Sequence, residues 1–349
     1  MIATNRFAAT TFSSALAASI AVVPNAVAQQ RAALEEIVVT AQKREQSMQD
    51  VPVAISVLDA NTPENQDIKN FEDVARVSPS LTIETGDEPS DSAIRMRGIG
   101  TAAFSIAAEP SVSVTVDGVP LMVSAQAFSN LEDIARVEVL KGPQGTLFGK
   151  NASAGVISIV TQDPSDEFTT SIGLRATDDD ELKASISLSG PLAETLGFRL
   201  NAYSIDRDGY ITNAYNGSDI GGEKSHGVRA KMRWQAGDNT DVNVILDTAS
   251  REASAAQPYI ALPANDPGRK LISSKAENLT VQLDSPQGYE TQNDMAVFKI
   301  DHDIGDLTLS SISSYQRFTQ DDVVDTDNSS EPVAQNPFLN PTGAEYRAA

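Results

Sequence analysis

The feature that most constrains this chain is a strict two-residue alternation of apolar and polar side chains, repeated in seven stretches after Pro164. Phe168, Thr170, Ile172 and Leu174 alternate with Thr169, Ser171, Gly173 and Arg175. Leu182, Ala184, Ile186 and Leu188 alternate with Lys183, Ser185, Ser187 and Ser189, and Val228, Ala230, Met232 and Trp234 with Arg229, Lys231, Arg233 and Gln235. Residues Phe198 to Ser204, Asp241 to Thr248, Asp294 to His302 and Leu307 to Tyr315 continue the pattern. Because successive side chains of a strand point to opposite faces, each stretch is a strand with one apolar and one polar face. The strands run to about 8–11 residues, the length a tilted strand needs to cross a bilayer. Together they read as part of a transmembrane antiparallel barrel wall. A secreted β-sandwich alternates in the same way, and that alternative stays open on pattern alone.

The connections favour the barrel. Ala236 to Asn239 and Ile304 to Asp306 are short, and Gly190 to Gly197 is moderate. Between them come Asp206 to Lys224, Arg251 to Gln292 and everything after Phe318, all long and acidic or rich in Gly and Asn. Short turns on one rim and long loops on the other are what outer-membrane barrels show; the exception is a short outer loop near Asp178-Asp179-Asp180. Tyr203, Tyr210, Trp234, Phe298 and Tyr315 are expected near strand ends, where interfacial aromatics belong. Mean hydropathy is only −0.22, as alternation requires. The net charge of −22 argues against nucleic acid, which needs clustered cations. With no cysteine and two histidines, neither a disulfide, a thiolate site nor a histidine-rich metal cage is expected.

The N-terminus reads as an export signal over residues 1–28. Arg6 is its one charge, Ala15 to Val23 forms a short apolar core, and Ala26-Val27-Ala28 is a small-x-small cleavage site. Residues 29–49 are linker-like apart from Glu35-Glu36-Ile37-Val38-Val39-Thr40-Ala41. This β-prone patch suits either strand addition to a partner's sheet edge or an edge strand of the domain that follows.

Residues 50–164 read as a mixed α+β domain. Val53 to Leu58 is an expected strand. Asn70 caps an expected helix, Phe71-Glu72-Asp73-Val74-Ala75-Arg76-Val77. The phrase returns as Asn130-Leu131-Glu132-Asp133-Ile134-Ala135-Arg136-Val137 with six of eight positions identical, so a second capped helix is predicted. Val112 to Val116 and Val119 to Val123 flank Asp117-Gly118, a strong hairpin signal. Lys141-Gly142-Pro143-Gln144-Gly145 breaks the next strand and Gly155 to Val160 resumes one.

These phrases, in this order, resemble the N-terminal part of TonB-dependent outer-membrane receptors. Glu35 to Ala41 looks like the energy-coupling TonB box. Val51-Pro52-Val53-Ala54-Ile55-Ser56-Val57, Ile94-Arg95-Met96-Arg97-Gly98, Val116-Asp117-Gly118-Val119, Val137 to Gly145, and Phe148-Gly149-Lys150-Asn151-Ala152-Ser153-Ala154-Gly155 look like phrases of the family's plug domain. The resemblance implies a barrel of about 22 strands with the plug in its lumen. Residues 165–349 hold about seven strands and end within a loop, so the chain reads as an N-terminal fragment carrying an incomplete barrel.

The resemblance also implies the function: capture of a scarce ligand outside, a signal through the plug, and strand addition by TonB, driven by its inner-membrane energising complex. Gly98, Gly100, Gly142, Gly145, Gly149 and Gly155 would allow tight turns in a crowded lumen, with Arg95, Asp117, Gly118, Pro143 and Phe148 in the same plug phrases. Arg97 and Lys141 sit where the family's plug cations pair with wall carboxylates, whose usual positions fall on later strands. Lipid of the outer membrane and a small ligand are the other expected partners. An iron–siderophore complex leads over cobalamin, a nickel chelate or an oligosaccharide. No cofactor is expected, although the ligand could itself be a metal chelate.

Other motifs fail on context. Gly98-Ile99-Gly100-Thr101-Ala102-Ala103 imitates a dinucleotide fingerprint but has no room for its helix before Pro110, and Gly149-Lys150 lacks the first glycine and the Ser/Thr of a P-loop. Asp301-His302-Asp303 reads as a polar strand end rather than a metal site, and no enzyme motif is present. Two alternatives are a secreted or surface β-rich adhesin without transport and a signal-transducing receptor. The latter is disfavoured because only Gln29 to Leu34 separate the expected cleavage site from the patch.

Overall fold

The structure, a computed structural model, describes residues 38–40, 43, 46–60, 70–86, 89–101, 108–128, 131–178, 180–254, 279–323 and 346–348. The export signal and Glu35, Glu36, Ile37 and Ala41 of the patch lie outside them. An inner domain comes first. After a two-residue ribbon of β1 (Val38–Val39) and β2 (Gln46–Ser47), the chain forms β3 (Ala54–Asp59), α1 (Asp73–Val77), β4 (Leu81–Glu84), β5 (Ala93–Met96), β6 (Ile99–Thr101), β7 (Val112–Val116), β8 (Val119–Pro120), β9 (Ile134–Lys141), α2 (Gly145–Phe148) and β10 (Gly155–Thr161). Strands β3-β9-β10-β7-β8 make one sheet, parallel only at β10/β7, and β4-β5-β6 make a second. One face of the larger sheet packs against the smaller one through Val139, Ile157, Ile94, Met96 and Phe71, with Phe71 edge-on to Phe128. The other face gathers Leu140, Phe148, Ala152 and Val156.

Two hairpins here share one chemistry. Asp117 and Gly118 join β7 to β8 at φ 49° and 84°, and Arg97 and Gly98 join β5 to β6 at φ 52° and 79°. Positive φ at both central positions is the two-residue turn whose twist matches paired strands.

The repeated phrase folds in two ways. In the first copy the Asn70 Oδ1 accepts from the Asp73 N–H at 3.1 Å and Asp73 returns the favour to the Asn70 N–H at 3.2 Å, a reciprocal cap of the predicted helix. In the second copy Asn130 lies outside the described residues, and the predicted helix is absent: Ile134 onward is β9, paired with β3 on one side and β10 on the other. Asp133 stands at φ 56°, which ends any helix at that point. Two sheet neighbours supply more hydrogen bonds than a single helical turn, so position overrides local propensity.

The wall follows: β11 (Thr169–Ala176), β12 (Glu181–Ala193), β13 (Leu196–Arg207), β14 (Ile211–Asn213), β15 (Asp219–Ile220), β16 (Glu223–Gln235), β17 (Thr240–Ala253), β18 (Thr280–Val281), β19 (Gly288–Ile304), β20 (Leu307–Val323) and β21 (Tyr346–Ala348). Strands β11-β12-β13-β16-β17-β19-β20-β21 form one antiparallel sheet. All seven predicted strands are in it. Most are longer than alternation suggested, reaching 17 residues in β19 and β20, because pairing continues past the bilayer span into charged ends such as Arg251-Glu252 and Asp321-Asp322. The turns of one rim are short, and the Gly190–Gly197 connection tightens to Glu194-Thr195. On the opposite rim β14, β15 and β18 form a small sheet over Ile211, Ile220, Val281 and Leu283.

Exposed apolar side chains line the outward face: Ile186, Leu200, Met232, Trp234, Leu246 and Phe298. The inward face is mainly polar and charged, with an apolar patch of Ile245, Met295 and Val297 packed against Val119 of the inner domain. Trp234, next to a short turn, is where an interfacial aromatic belongs. Tyr203 is not. It faces inward beside Asn201 and Arg229 and covers Gly227 directly opposite on β16, where a Cβ would lie 2.6 Å from the ring.

Candidate functional site

The described part of the Glu35 to Ala41 patch, Val38 to Thr40, is docked rather than loose. Val38 and Val39 pair with Ser47 and Gln46 in a ribbon separate from the large sheet. The Val39 side chain is fully buried and joins Val51, Leu140, Phe148 and Val156. The Thr40 N–H donates to both oxygens of Glu138, at 2.9 and 3.1 Å, and its hydroxyl lies 3.0 Å from Oε1. Glu138 is itself fully buried and takes a further bond from Arg136 Nε at 2.8 Å. Sequence reasoning missed Glu138; its one signal was a lone acid inside the apolar run Val137 to Leu140.

The other predicted residues take mainly local roles. Arg95 pairs with Glu84 across β4 and β5. Arg97 is exposed at its hairpin turn, with its backbone N–H on the Ser80 carbonyl at 2.7 Å. Lys141 Nζ reaches Ser56 Oγ at 2.7 Å on the neighbouring strand. Neither Arg97 nor Lys141 meets a wall carboxylate among the described residues. Gly98, Gly142 and Gly149 hold positive φ, while Gly145 opens α2, just after Pro143, and Phe148 closes it. Gly100 sits hard against Ile94 and Arg95, and Gly155 leaves no space for a Cβ beside Met96.

The seam between inner domain and wall sets acids on the inner domain against cations on the wall strands. Asp133 accepts from Arg199 Nε at 2.7 Å and Nη2 at 2.5 Å, and Glu132 pairs with Lys183. Lys231 Nζ is 3.4 Å from Asp117 and 3.3 Å from Asp163. Asp117 also accepts from the Thr161 N–H and hydroxyl at 2.9 and 2.7 Å. Arg229 pairs with Asp247 at 2.6 Å and donates to the Glu132 carbonyl at 2.9 Å. Near the long-loop rim, Arg251 donates to the Phe128 carbonyl at 2.6 Å and to Glu223 at 3.0 Å. Burial raises the Glu72 carboxyl above its ordinary value, and nearby Arg251 opposes that shift. The signal for this seam was present in the sequence as Lys183, Arg199, Arg229, Lys231 and Arg251 on the polar phase of successive strands.

A cavity of about 500 Å³ opens among the extended strand ends at the long-loop rim, lined by Arg207, Glu223, Tyr289, Asp321 and Asp322 among others. Asp301, His302 and Asp303 do not converge. Asp301 engages Ser310 and Lys299, Asp303 engages Thr308, and His302 turns to Thr240 on the other face. Among the described residues no group of three metal-ligating side chains is assembled.

A small α+β domain fastened to the polar face of an outward-apolar antiparallel sheet defines a plug-and-barrel protein of the outer membrane. A family model for the TonB-dependent receptor plug domain matches residues 47–156. The chain is 32% identical over 249 residues to the pesticin receptor of Yersinia pestis, covering 68% of this chain and 35% of that protein. It is 26% identical over 256 residues to an iron-regulated outer membrane virulence protein of Vibrio cholerae, covering 70% and 38%. Among solved structures, the ferric yersiniabactin uptake receptor of Yersinia pestis superposes with a TM-score of 0.66 at 24% identity, covering 78% of this chain and 42% of that one. The ferripyoverdine receptor of Pseudomonas aeruginosa bound to ferripyoverdine gives 0.64 at 18% identity, covering 82% and 37%. The chain therefore belongs to the TonB-dependent outer-membrane receptors, a family of transport receptors rather than enzymes. It spans little more than a third of the length of these two curated relatives.

Proposed function

We propose that this chain forms the coupling segment, plug and first wall strands of a receptor that imports a scarce ligand, an iron–siderophore complex, across the outer membrane with energy delivered through TonB. The observation that carries this reading is the docked coupling strand. Val38 to Thr40 lies on the plug's β9 and Phe148 surface, while Glu132 and Asp133, just before that same strand, grip the wall. Such a segment can be drawn off by strand addition while the seam holds the plug in the lumen. The siderophore assignment draws on the iron- and siderophore-related names of the relatives. The plug-phrase glycines Gly98 and Gly118 serve the gate by keeping its hairpins tight, and Arg95 and Asp117 by pairing with Glu84 and Lys231.

The test is uptake by cells expressing the full-length receptor as their one route for a radiolabelled iron–siderophore. Deleting Glu35 to Ala41 should abolish uptake while surface binding of the labelled ligand persists. Unchanged uptake would refute the coupling role. Binding of none of a panel of ferric siderophores would refute the ligand class.

A further inference from the structure

We propose that Glu138 is a latch that keeps the coupling strand closed on the plug, so that Val38 to Thr40 becomes available to a partner only when this carboxylate releases Thr40. What the strand is released to rests on the coupling reading above; the latch itself does not.

Glu138 lies on β9, the strand held between β3 and β10, and none of its surface reaches solvent. A carboxylate so placed needs donors, because burial of an unpaired charge is costly. Four contacts meet it. One comes from Arg136, two residues back on the same strand and so on the same face. The other three come from Thr40: its N–H to each carboxylate oxygen and its hydroxyl to Oε1. One residue of the coupling segment thus supplies most of the solvation of a buried charge, and hydrogen bonds to an ionised acceptor are the strong kind.

The rest of the segment is arranged around that clasp. The Lys43 N–H closes a turn on the Thr40 carbonyl at 2.9 Å, and the Lys43 ammonium stands 5.5 Å from the centroid of the Phe148 ring. The turn brings Gln46-Ser47 back to pair with Val39-Val38. Strand addition requires free main-chain groups on the segment being captured. Here Gln46 and Ser47 occupy the pairing edge, and Glu138 takes the next donor along. Among the described residues, release leaves Glu138 with Arg136 alone, which draws the segment back and makes the latch reversible. The wall contacts of Glu132 and Asp133 lie just before β9, and the latch is on β9 five residues after Asp133. A displacement of β9 relative to the wall would therefore act on both.

The experiment is amide hydrogen exchange on the full-length receptor in outer-membrane vesicles, with no partner added. The Thr40 amide should be protected in the wild type. Glu138→Gln should speed its exchange about tenfold, the difference between a charge-assisted and a neutral bond, while the amides of Gly155 to Thr161 keep their protection. An unprotected Thr40 amide in the wild type, or no acceleration in Glu138→Gln with those β10 amides intact, would overturn the latch. Should Glu138→Gln loosen β10 as well, Thr40→Val decides, since it removes only the hydroxyl: faster exchange at position 40 upholds the latch and unchanged exchange overturns it. Binding of the purified periplasmic domain of TonB is measured in parallel and should tighten when the latch opens. Accelerated exchange with no TonB binding to either protein leaves the latch standing and refutes the coupling reading instead.

Discussion

Lys231 on the wall brings its ammonium to 3.4 Å from the Asp117 carboxylate at the plug's hairpin turn, and both side chains are more than nine-tenths buried. Asp117 is doubly held, since Thr161 donates to it from backbone and hydroxyl. The pair thus ties the wall to two plug strands at once. Removing one partner of a buried pair leaves the other charge unsatisfied. Lys231→Met should therefore weaken local plug closure by about 3 kcal/mol. The check is hydrogen exchange of the Val112 to Pro120 hairpin in the assembled receptor, with Lys231→Arg restoring most of the protection. Equal protection in Lys231→Met would show that the Thr161 bonds suffice.

Gly155 and Gly145 both belong to the plug's glycine set, yet the structure separates them. A Cβ on Gly155 would fall 2.2 Å from Met96 Sδ and 2.5 Å from the Leu140 carbonyl oxygen, whereas a Cβ on Gly145 meets nothing within 4 Å. The methionine can move; the carbonyl belongs to β9 and cannot. Gly155→Ala should cost about 2–3 kcal/mol through overpacking. Gly145→Ala, at the first residue of α2, should stay within about 0.5 kcal/mol of wild type. Limited proteolysis of the plug in membrane vesicles, scored by cleavage rate, distinguishes the two.

The wall was legible in the sequence because alternation is a local property that survives in every strand, and the same phase that makes Leu200 and Leu246 outward makes Arg199 and Asp247 inward. The hairpin at Asp117-Gly118 was legible because its backbone demands those residues. The repeated phrase was not. Asn70 and Asn130 open almost identical words, but only the first stands where a helix can complete its own bonds; Ile134 to Lys141 lies between two strands that claim them. The seam was half legible. Its cations sit on the polar phase, but their partners Glu132, Asp133 and Asp163 are close to them only after folding, across separations such as the 66 residues between Asp133 and Arg199. Glu138 was illegible for the same reason: its donor, Thr40, is 98 residues away.

Glu72 gives the plug a pH dependence of definite sign. Burial raises its carboxyl above the ordinary value of 4.5, with Arg251 acting in the opposite direction. The folded plug therefore holds this proton to higher pH than the unfolded chain does. Between 4.5 and the raised folded value, the folded state binds more protons, so its stability falls as pH rises through that window. Glu72→Gln abolishes this contribution. In urea titrations of the plug transition, the midpoint should fall less with rising pH in Glu72→Gln than in wild type. A larger fall in the variant would mean that the Arg251 attraction outweighs burial.

The outward face of the wall makes the sharpest claim about environment, because charge tolerance there depends on what surrounds the strand. Leu246 lies midway along β17 with 54% of its surface exposed, which in water would make it an ordinary site for substitution. In a bilayer core an arginine on the lipid face of a barrel costs about 2–4 kcal/mol. Ser314 is also exposed, on β20, but its side chain shares the lumen phase with Ile312 and Gln316, which meet Gly118 and the Pro120 carbonyl of the plug. Leu246→Arg should therefore lower the amount of heat-modifiable, folded receptor in outer-membrane fractions several-fold. Ser314→Arg should leave it near wild type. Equal recovery of both variants would remove lipid from the Leu246 face and reopen the soluble β-sandwich reading of the wall.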